Sequence, residues 1–147
     1  FSKKNIQIIW QTGEREYSNY KSKITDMVSI VPFVHNMADA YSIADLIISR
    51  SGALTLAEIT VCKKPAILVP LPSSAANHQL KNAKVLEEKG AAIIIEENGM
   101  KINYFFETIL ELLKNKTALA NMKKASESLG KPYSTNKIVD HIMRVLK

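Results

Sequence analysis

Glu58 is the only charged residue between Ser51 and Cys62. Its neighbours, Ala53, Leu54, Thr55, Leu56, Ala57, Ile59, Thr60 and Val61, are helix formers or small residues. A helix that apolar is expected to pack on several sides, and a carboxylate on it needs hydrogen-bond donors. Two adjacent hydroxyls of a ribose supply them, one to each oxygen. The competing reading is a surface glutamate in water or paired with a lysine such as Lys63.

Upstream lies the turn Arg50-Ser51-Gly52, between the apolar run Leu46 to Ser49 and the helical stretch. Strand, glycine turn and helix in that order leave unpaired backbone N–H groups at the helix start, a site for phosphate or diphosphate. A side chain at Gly52 would hold such an anion away from the backbone. The plainer alternative is an ordinary turn with Ser51 as N-cap.

A third cluster, Ser73, Ser74, Asn77, His78 and Gln79, gathers uncharged donors and acceptors at another helix start. Such groups suit the hydroxyls of a sugar, which demand directional hydrogen bonds rather than charge. Asn77 is also placed to cap that helix. No carboxylate lies near His78 in sequence to orient it as a base, so a sugar or phosphate contact is expected of it. His35 borders the same edge, and His141 reads as structural. No Ser-His-Asp arrangement, metal-ligand cluster or Walker-type lysine loop occurs. The chain therefore reads as a binding half without a complete catalytic apparatus, needing neither metal nor cofactor.

These residues need elements to hold them. Strands are expected at Asn5 to Gln11, Val28 to Phe33, Leu46 to Ser49, Ala66 to Val69 and Ala92 to Ile95. Helices are expected at Glu14 to Ile24, Met37 to Ala44, after Gly52, and from Asn77 to about Lys89, where Gly90 ends the pattern. Three more follow, at Tyr104 to Lys114, Ala118 to Leu129 and Thr135 to Leu146. In the last, Ile138, Val139, Ile142, Val145 and Leu146 share one apolar face. Alternating strands and helices imply an α/β fold with a Rossmann-like, mainly parallel sheet flanked by helices. Three loops leave its carboxyl edge, at 33–36, 49–52 and 70–79, where ligands of such sheets bind.

Composition narrows the class. The 147 residues, 46% apolar and 23% charged, suit one globular domain with a real core. No apolar run approaches the roughly 20 residues of a membrane span, and no secretory signal opens the sequence. The single Cys62 excludes disulfide scaffolds and cysteine zinc sites, and reads as a small buried hydrophobe in a reducing cytoplasm. The net charge of +6 is spread over scattered lysines without interleaved aromatics, so no nucleic-acid partner is expected. Weak attraction to anionic lipid remains open. The sequence starts at a strand with no phosphate-binding turn before it, so the fold is expected to lack its first strand and helix.

One combination of segments carries a resemblance. Phe33-Val34 with Met37, Tyr41 and Ala44-Asp45 comes first, then Ser49 to Thr55 with Glu58. Pro65, Val69-Pro70 and Asn77-His78-Gln79 with Asn82-Ala83 complete the set. Together they resemble the MurG family, bacterial transferases that pass N-acetylglucosamine to lipid I to give lipid II in peptidoglycan synthesis. The likeness runs through nearly the whole chain but only to the C-terminal, donor-binding half of that two-domain GT-B enzyme. The segment from Ser49 to Glu58 is its most specific part, while Asn-His-Gln is shared more widely among related glycosyltransferases.

The resemblance implies that residues 1–147 are a single UDP-N-acetylglucosamine-binding domain. Val34 would meet the uracil through its backbone, with Phe33 beside it. Ser51, Gly52, Ala53 and Leu54 would surround the diphosphate, with Thr55 close by, and Arg50 would belong to the same donor site. Glu58 would hold the ribose hydroxyls. Gln79, with His78 and Asn77, would face the sugar, although some members carry glutamine at both of the positions matching His78 and Gln79. Lipid I, the membrane-contacting patch and the catalytic base belong to an N-terminal domain that this chain lacks. The implied location is cytoplasmic, peripheral on the inner face of the bacterial membrane. Alone, the chain is expected to bind UDP-sugar weakly and to turn nothing over. Rival readings are the donor-binding subunit of a dolichol-type transferase, a UDP-sugar epimerase, and a non-catalytic nucleotide-binding module.

Overall fold

The computed structural model describes residues 6–146. The chain divides into two compact units, Phe1–Ile43 and Ala44–Lys147.

In the first unit, β1 (Ile8–Gln11) and β2 (Val28–Val31) pair in parallel, from Ile8 opposite Val28 to Gln11 opposite Val31. The expected start of β1 at Asn5 lies outside the described residues. Helix α1 (Glu14–Tyr20) gives way to one 3₁₀ turn, Lys21–Lys23, and Ile24 is already extended, so the helix is shorter than its sequence suggests. The Trp10 and Tyr20 rings lie 4.7 Å apart. Strand β2 stops at Val31 because Pro32 has no N–H to continue a ladder. Past the strand ends the two segments stay laced, Thr12 N donating to Val31 O (3.0 Å) and Gly13 N to Pro32 O (3.0 Å). Helix α2 (Met37–Ile43) closes the unit, burying Tyr41.

The second unit holds a parallel sheet in the order β3 (Ile47–Ser49), β4 (Ala66–Leu68), β5 (Ala92–Ile94). The central strand is buried at all three positions, as a continuous apolar run in a two-sided parallel sheet should be. Helices α3 (Ala53–Val61), α4 (His78–Glu88), α5 (Ile102–Lys114) and α6 (Lys116–Leu129) accompany it. Ile67, Ile95, Ile109, Leu112 and Met122 form the core between sheet and helices. The α/β class and mainly parallel sheets flanked by helices are thus as expected.

Two helices end in the same way on different residues. After α4, Gly90 takes φ +74°, its N–H reaching Glu87 O and that of Ala91 reaching Leu86 O, both at 2.8 Å. After α3 the left-handed position falls to Lys63 (φ +57°), with Lys63 N on Thr60 O (3.1 Å) and Lys64 N on Ile59 O (3.0 Å). Both are helix-terminating motifs in which a left-handed residue lets the next N–H groups satisfy the last carbonyls. Helix α7 (Ser134–Val145) forms where expected, but nothing on it is buried. Its apolar face, Ile138, Val139, Ile142, Val145 and Leu146, is more than half exposed at every position. Among the described residues no helix is long and apolar enough to cross a membrane.

Candidate functional site

At the carboxyl edge of the second sheet, the turn after β3 leads straight into α3. Gly52, not Ser51, is the N-cap, with φ −65° and ψ 145°. The Ser51 side chain is fully buried, and its Oγ donates to Gln79 O at 2.8 Å instead of capping the helix. The plainer alternative, Ser51 as a local cap, is thus not what forms: a long-range partner takes the hydroxyl. The first intrahelical bond runs from Leu56 N to Gly52 O (3.0 Å), and no side chain caps the turn. The N–H groups of Ala53, Leu54 and Thr55 therefore open the helix without intrahelical acceptors. Ala53 and Leu54 are exposed, Leu54 by 83%, and Thr55 is half-buried.

Gly52 has room for a Cβ. Its φ is negative, and a Cβ there would meet only Thr55 Oγ1, at 3.9 Å. The space beside these amides is open to an anion.

Helix α3 is not packed on several sides. It buries Leu56, Ile59 and Thr60 and leaves Ala53, Leu54, Ala57, Glu58 and Val61 exposed. The expectation failed because small and apolar residues occupy the solvent face as well as the core face. Glu58 lies one helical turn beyond Leu54, on the face that begins with the open amides. Cys62, expected as a buried hydrophobe, is only half-buried at the helix end.

The loop 71–78 and the start of α4 stand beside this turn. Gln79 Oε1 accepts from Leu71 N (3.1 Å), and Gln79 N donates to Ser74 Oγ (3.4 Å). Asn82 Nδ2 reaches Ser51 O at 3.4 Å. Asn77 takes the N-cap position, but with φ +55° and no side-chain capping bond, because the left-handed backbone turns the side chain away from the first turn. Ala76 beside it is also left-handed, at φ +49°. His78 Nδ1 lies 2.8 Å from Ala75 O. A carbonyl only accepts, so that nitrogen carries a proton and donates it to Ala75 O.

Arg50 is held by its surroundings. Its Nη1 lies 2.5 Å from Glu97 Oε2, 3.2 Å from Val69 O and 3.3 Å from Pro70 O. Neither Glu97 nor these carbonyls could have been paired with Arg50 from sequence spacing.

In the first unit, Phe33 is 54% exposed and meets His35 edge-on at 5.4 Å. The N–H of Val34 donates to Gln11 Oε1 (2.8 Å), so the carbonyl is the group Val34 has to offer a ligand. Gln11 was not singled out in the sequence, since a strand-end glutamine gives no signal of a partner in a later loop.

Chemically, the second unit offers open helix amides, an exposed carboxylate on the following turn, and a fixed amide and imidazole. Such a set suits an anion attached to a hydroxyl-rich group. Among the described residues no cluster of potential metal ligands occurs, and His78 is oriented by a carbonyl rather than a carboxylate.

The glycosyltransferase family 28 C-terminal domain matches residues 1–144. A Bacillus cytotoxicus protein is 39% identical over 152 residues, covering 100% of this chain and 42% of its own length. One from Chlorobium phaeobacteroides is 37% identical over 145 residues, covering 97% and 40%. Both are named UDP-N-acetylglucosamine–N-acetylmuramyl-(pentapeptide) pyrophosphoryl-undecaprenol N-acetylglucosamine transferase. The crystal structure of Acinetobacter baumannii MurG superposes with a TM-score of 0.83 at 33% identity, over 94% of this chain and 43% of that one. The glycosyltransferase VinC, at 19% identity and a TM-score of 0.71, shares the fold. The chain thus spans about two fifths of the length of the curated relatives it matches.

Proposed function

The chain belongs to glycosyltransferase family 28, as a C-terminal domain of that family, and from that premise we propose that it is the donor-binding part of a MurG-type transferase. It binds UDP-N-acetylglucosamine, and the whole enzyme passes N-acetylglucosamine to lipid I, giving lipid II. The observation that carries this is Gly52. An added Cβ there would meet only Thr55 Oγ1, no side chain caps the helix start beside it, and a diphosphate fits against those open amides.

In this reading the N–H groups of Ala53, Leu54 and Thr55 hold the diphosphate, with Ser51 and Gly52 forming its wall. The Glu58 carboxylate accepts from the two ribose hydroxyls. Val34 presents its carbonyl to the imino N–H of uracil, with Phe33 alongside. Gln79, His78 and Asn77 face the sugar. The acceptor hydroxyl attacks the anomeric carbon from the opposite face, the bond to the diphosphate oxygen breaks, and configuration inverts. The proton passes to a base on the remainder of the longer enzyme, which also holds lipid I and rests on the inner face of the membrane. Helix amides aimed at the diphosphate stabilise the charge that grows there as UDP leaves.

Calorimetry with UDP-N-acetylglucosamine, UDP-glucose and ADP tests the reading. Uridine nucleotides should bind in preference to ADP. Glu58→Ala should weaken them by about 1–3 kcal/mol, the loss of charged hydrogen bonds, while the domain stays folded. Equal affinity for adenine and uracil nucleotides would point to a generic nucleotide-binding module instead.

A further inference from the structure

We infer that Glu97 is a positioning residue for the sugar end of the donor site, acting through Arg50; the inference rests on the donor-site reading above. Arg50, which the resemblance puts in the donor site, spends its Nη1 on protein groups. It holds the carboxylate of Glu97 and the two consecutive carbonyls of Val69 and Pro70. The next N–H along the chain, that of Leu71, donates to Gln79 Oε1 at 3.1 Å. The Gln79 carbonyl takes the Ser51 hydroxyl at 2.8 Å, and Ser51 adjoins Arg50. These contacts close a ring: Arg50, the 69–70 carbonyls, Leu71, Gln79, Ser51 and back to Arg50. Glu97 sits outside the ring and aims the arginine into it. Its own backbone is pinned by Met100 N on Glu97 O at 3.3 Å.

The ion pair is nearly half exposed on both sides, at 47% and 45%. Such pairs contribute little to stability, so its value here is direction rather than strength. Two carbonyls alone leave a guanidinium free to turn. With Glu97 neutralised, Arg50 can swing from the carbonyls towards a nearby anion at the α3 amides. The 69–71 segment then loses its anchor, and Gln79 its fixed amide. The two ends of a nucleotide-sugar should therefore respond in opposite senses. Grip on the diphosphate holds or improves, and grip on the sugar declines.

The test titrates the whole chain and its Glu97→Gln, Glu97→Asp and Glu96→Gln variants with UDP and with UDP-N-acetylglucosamine, following chemical shifts by NMR. Amide exchange at Leu71 and the urea midpoint are recorded alongside. Glu97→Gln should lower the preference for the sugar nucleotide over UDP by about fivefold, the size of one neutral hydrogen bond misplaced. Leu71 should exchange faster while the urea midpoint stays unchanged. Glu97→Asp should recover part of the preference, and Glu96→Gln should match the parent chain. An unchanged preference in Glu97→Gln overturns the inference and leaves the donor site standing. So does an equal loss of both ligands with a lowered midpoint, which marks a merely structural role. A parent chain that binds neither ligand overturns the donor-site reading itself, and this inference with it.

Discussion

The two ends of α3 are built to opposite specifications. At the C-terminal end the carbonyls from Leu56 to Thr60 all have partners. Lys63 and Lys64 close the last carbonyls, Thr60 Oγ1 bonds back to Leu56 O and Ala57 O, and Ser126 Oγ lies 3.4 Å from Ile59 O. Gly130 packs so close that a Cβ would stand 2.8 Å from Thr60 O, a backbone atom that cannot move aside. At the N-terminal end, Gly52 has no such neighbour and the first amides meet no cap. The packing against Thr60 requires one glycine, and the space beside the other is open, where the proposed function puts a diphosphate. The lesson is that a glycine's role is read from what its missing side chain would hit.

The comparison can be broken or sharpened in four steps of decreasing effect. Gly130→Ala should cost about 3 kcal/mol of stability, towards the upper end for an overpacked site, seen as a lower urea midpoint. An unchanged midpoint would mean that α6 slides freely over α3. The binding loss in Glu58→Ala comes next, with the midpoint where it was. Gly52→Ala should cost about 1 kcal/mol of stability, because glycine is favoured over alanine at an N-cap. It should also weaken UDP about tenfold, or 1.4 kcal/mol, in calorimetry. Full affinity in that variant would move the diphosphate elsewhere.

The smallest effect concerns acid. The Lys63 ammonium, 2.7 Å from Glu127, holds that carboxyl below its ordinary value, first by a hydrogen bond and then by charge. A depressed folded value means stabilisation that is complete above the ordinary carboxylate range and is lost as pH falls through the lowered one. Glu127→Gln should flatten that acid limb in a pH series of urea midpoints. Both side chains are about half exposed, so the difference should fade in high salt.

Much of the fold was legible because its signals are local. The apolar run of β4, the alternation of strands with helices, and Gly90 after α4 each declare themselves within a few residues. The end of α3 was less so. Lys63 adopts a backbone conformation that sequence normally assigns to glycine, held by the bonds of Lys63 N and Lys64 N to the last carbonyls of the helix. The site was legible in its residue types and less so in their duties. Asn77 was expected to cap a helix and makes no side-chain capping bond, and the alternative of Ser51 as a cap gives way to a bond with a distant carbonyl. Arg50 was recognised as part of the turn, but its partners lie across other loops. Gln11 and Glu97 went unnoticed for the same reason, since a pairing made by tertiary packing leaves no trace in spacing. The apolar stripe of α7 was read correctly as a stripe, and its exposure could not be inferred from periodicity alone.

The left-handed pair Ala76-Asn77 has a consequence for how the loop before α4 behaves. For residues with a side chain, the left-handed well is small and separated from the right-handed one by forbidden territory. Any rearrangement of this corner is therefore a jump between separate wells and not a graded bend. Ala76 and Asn77 thus fix the direction in which the chain enters α4 and delivers His78 and Gln79.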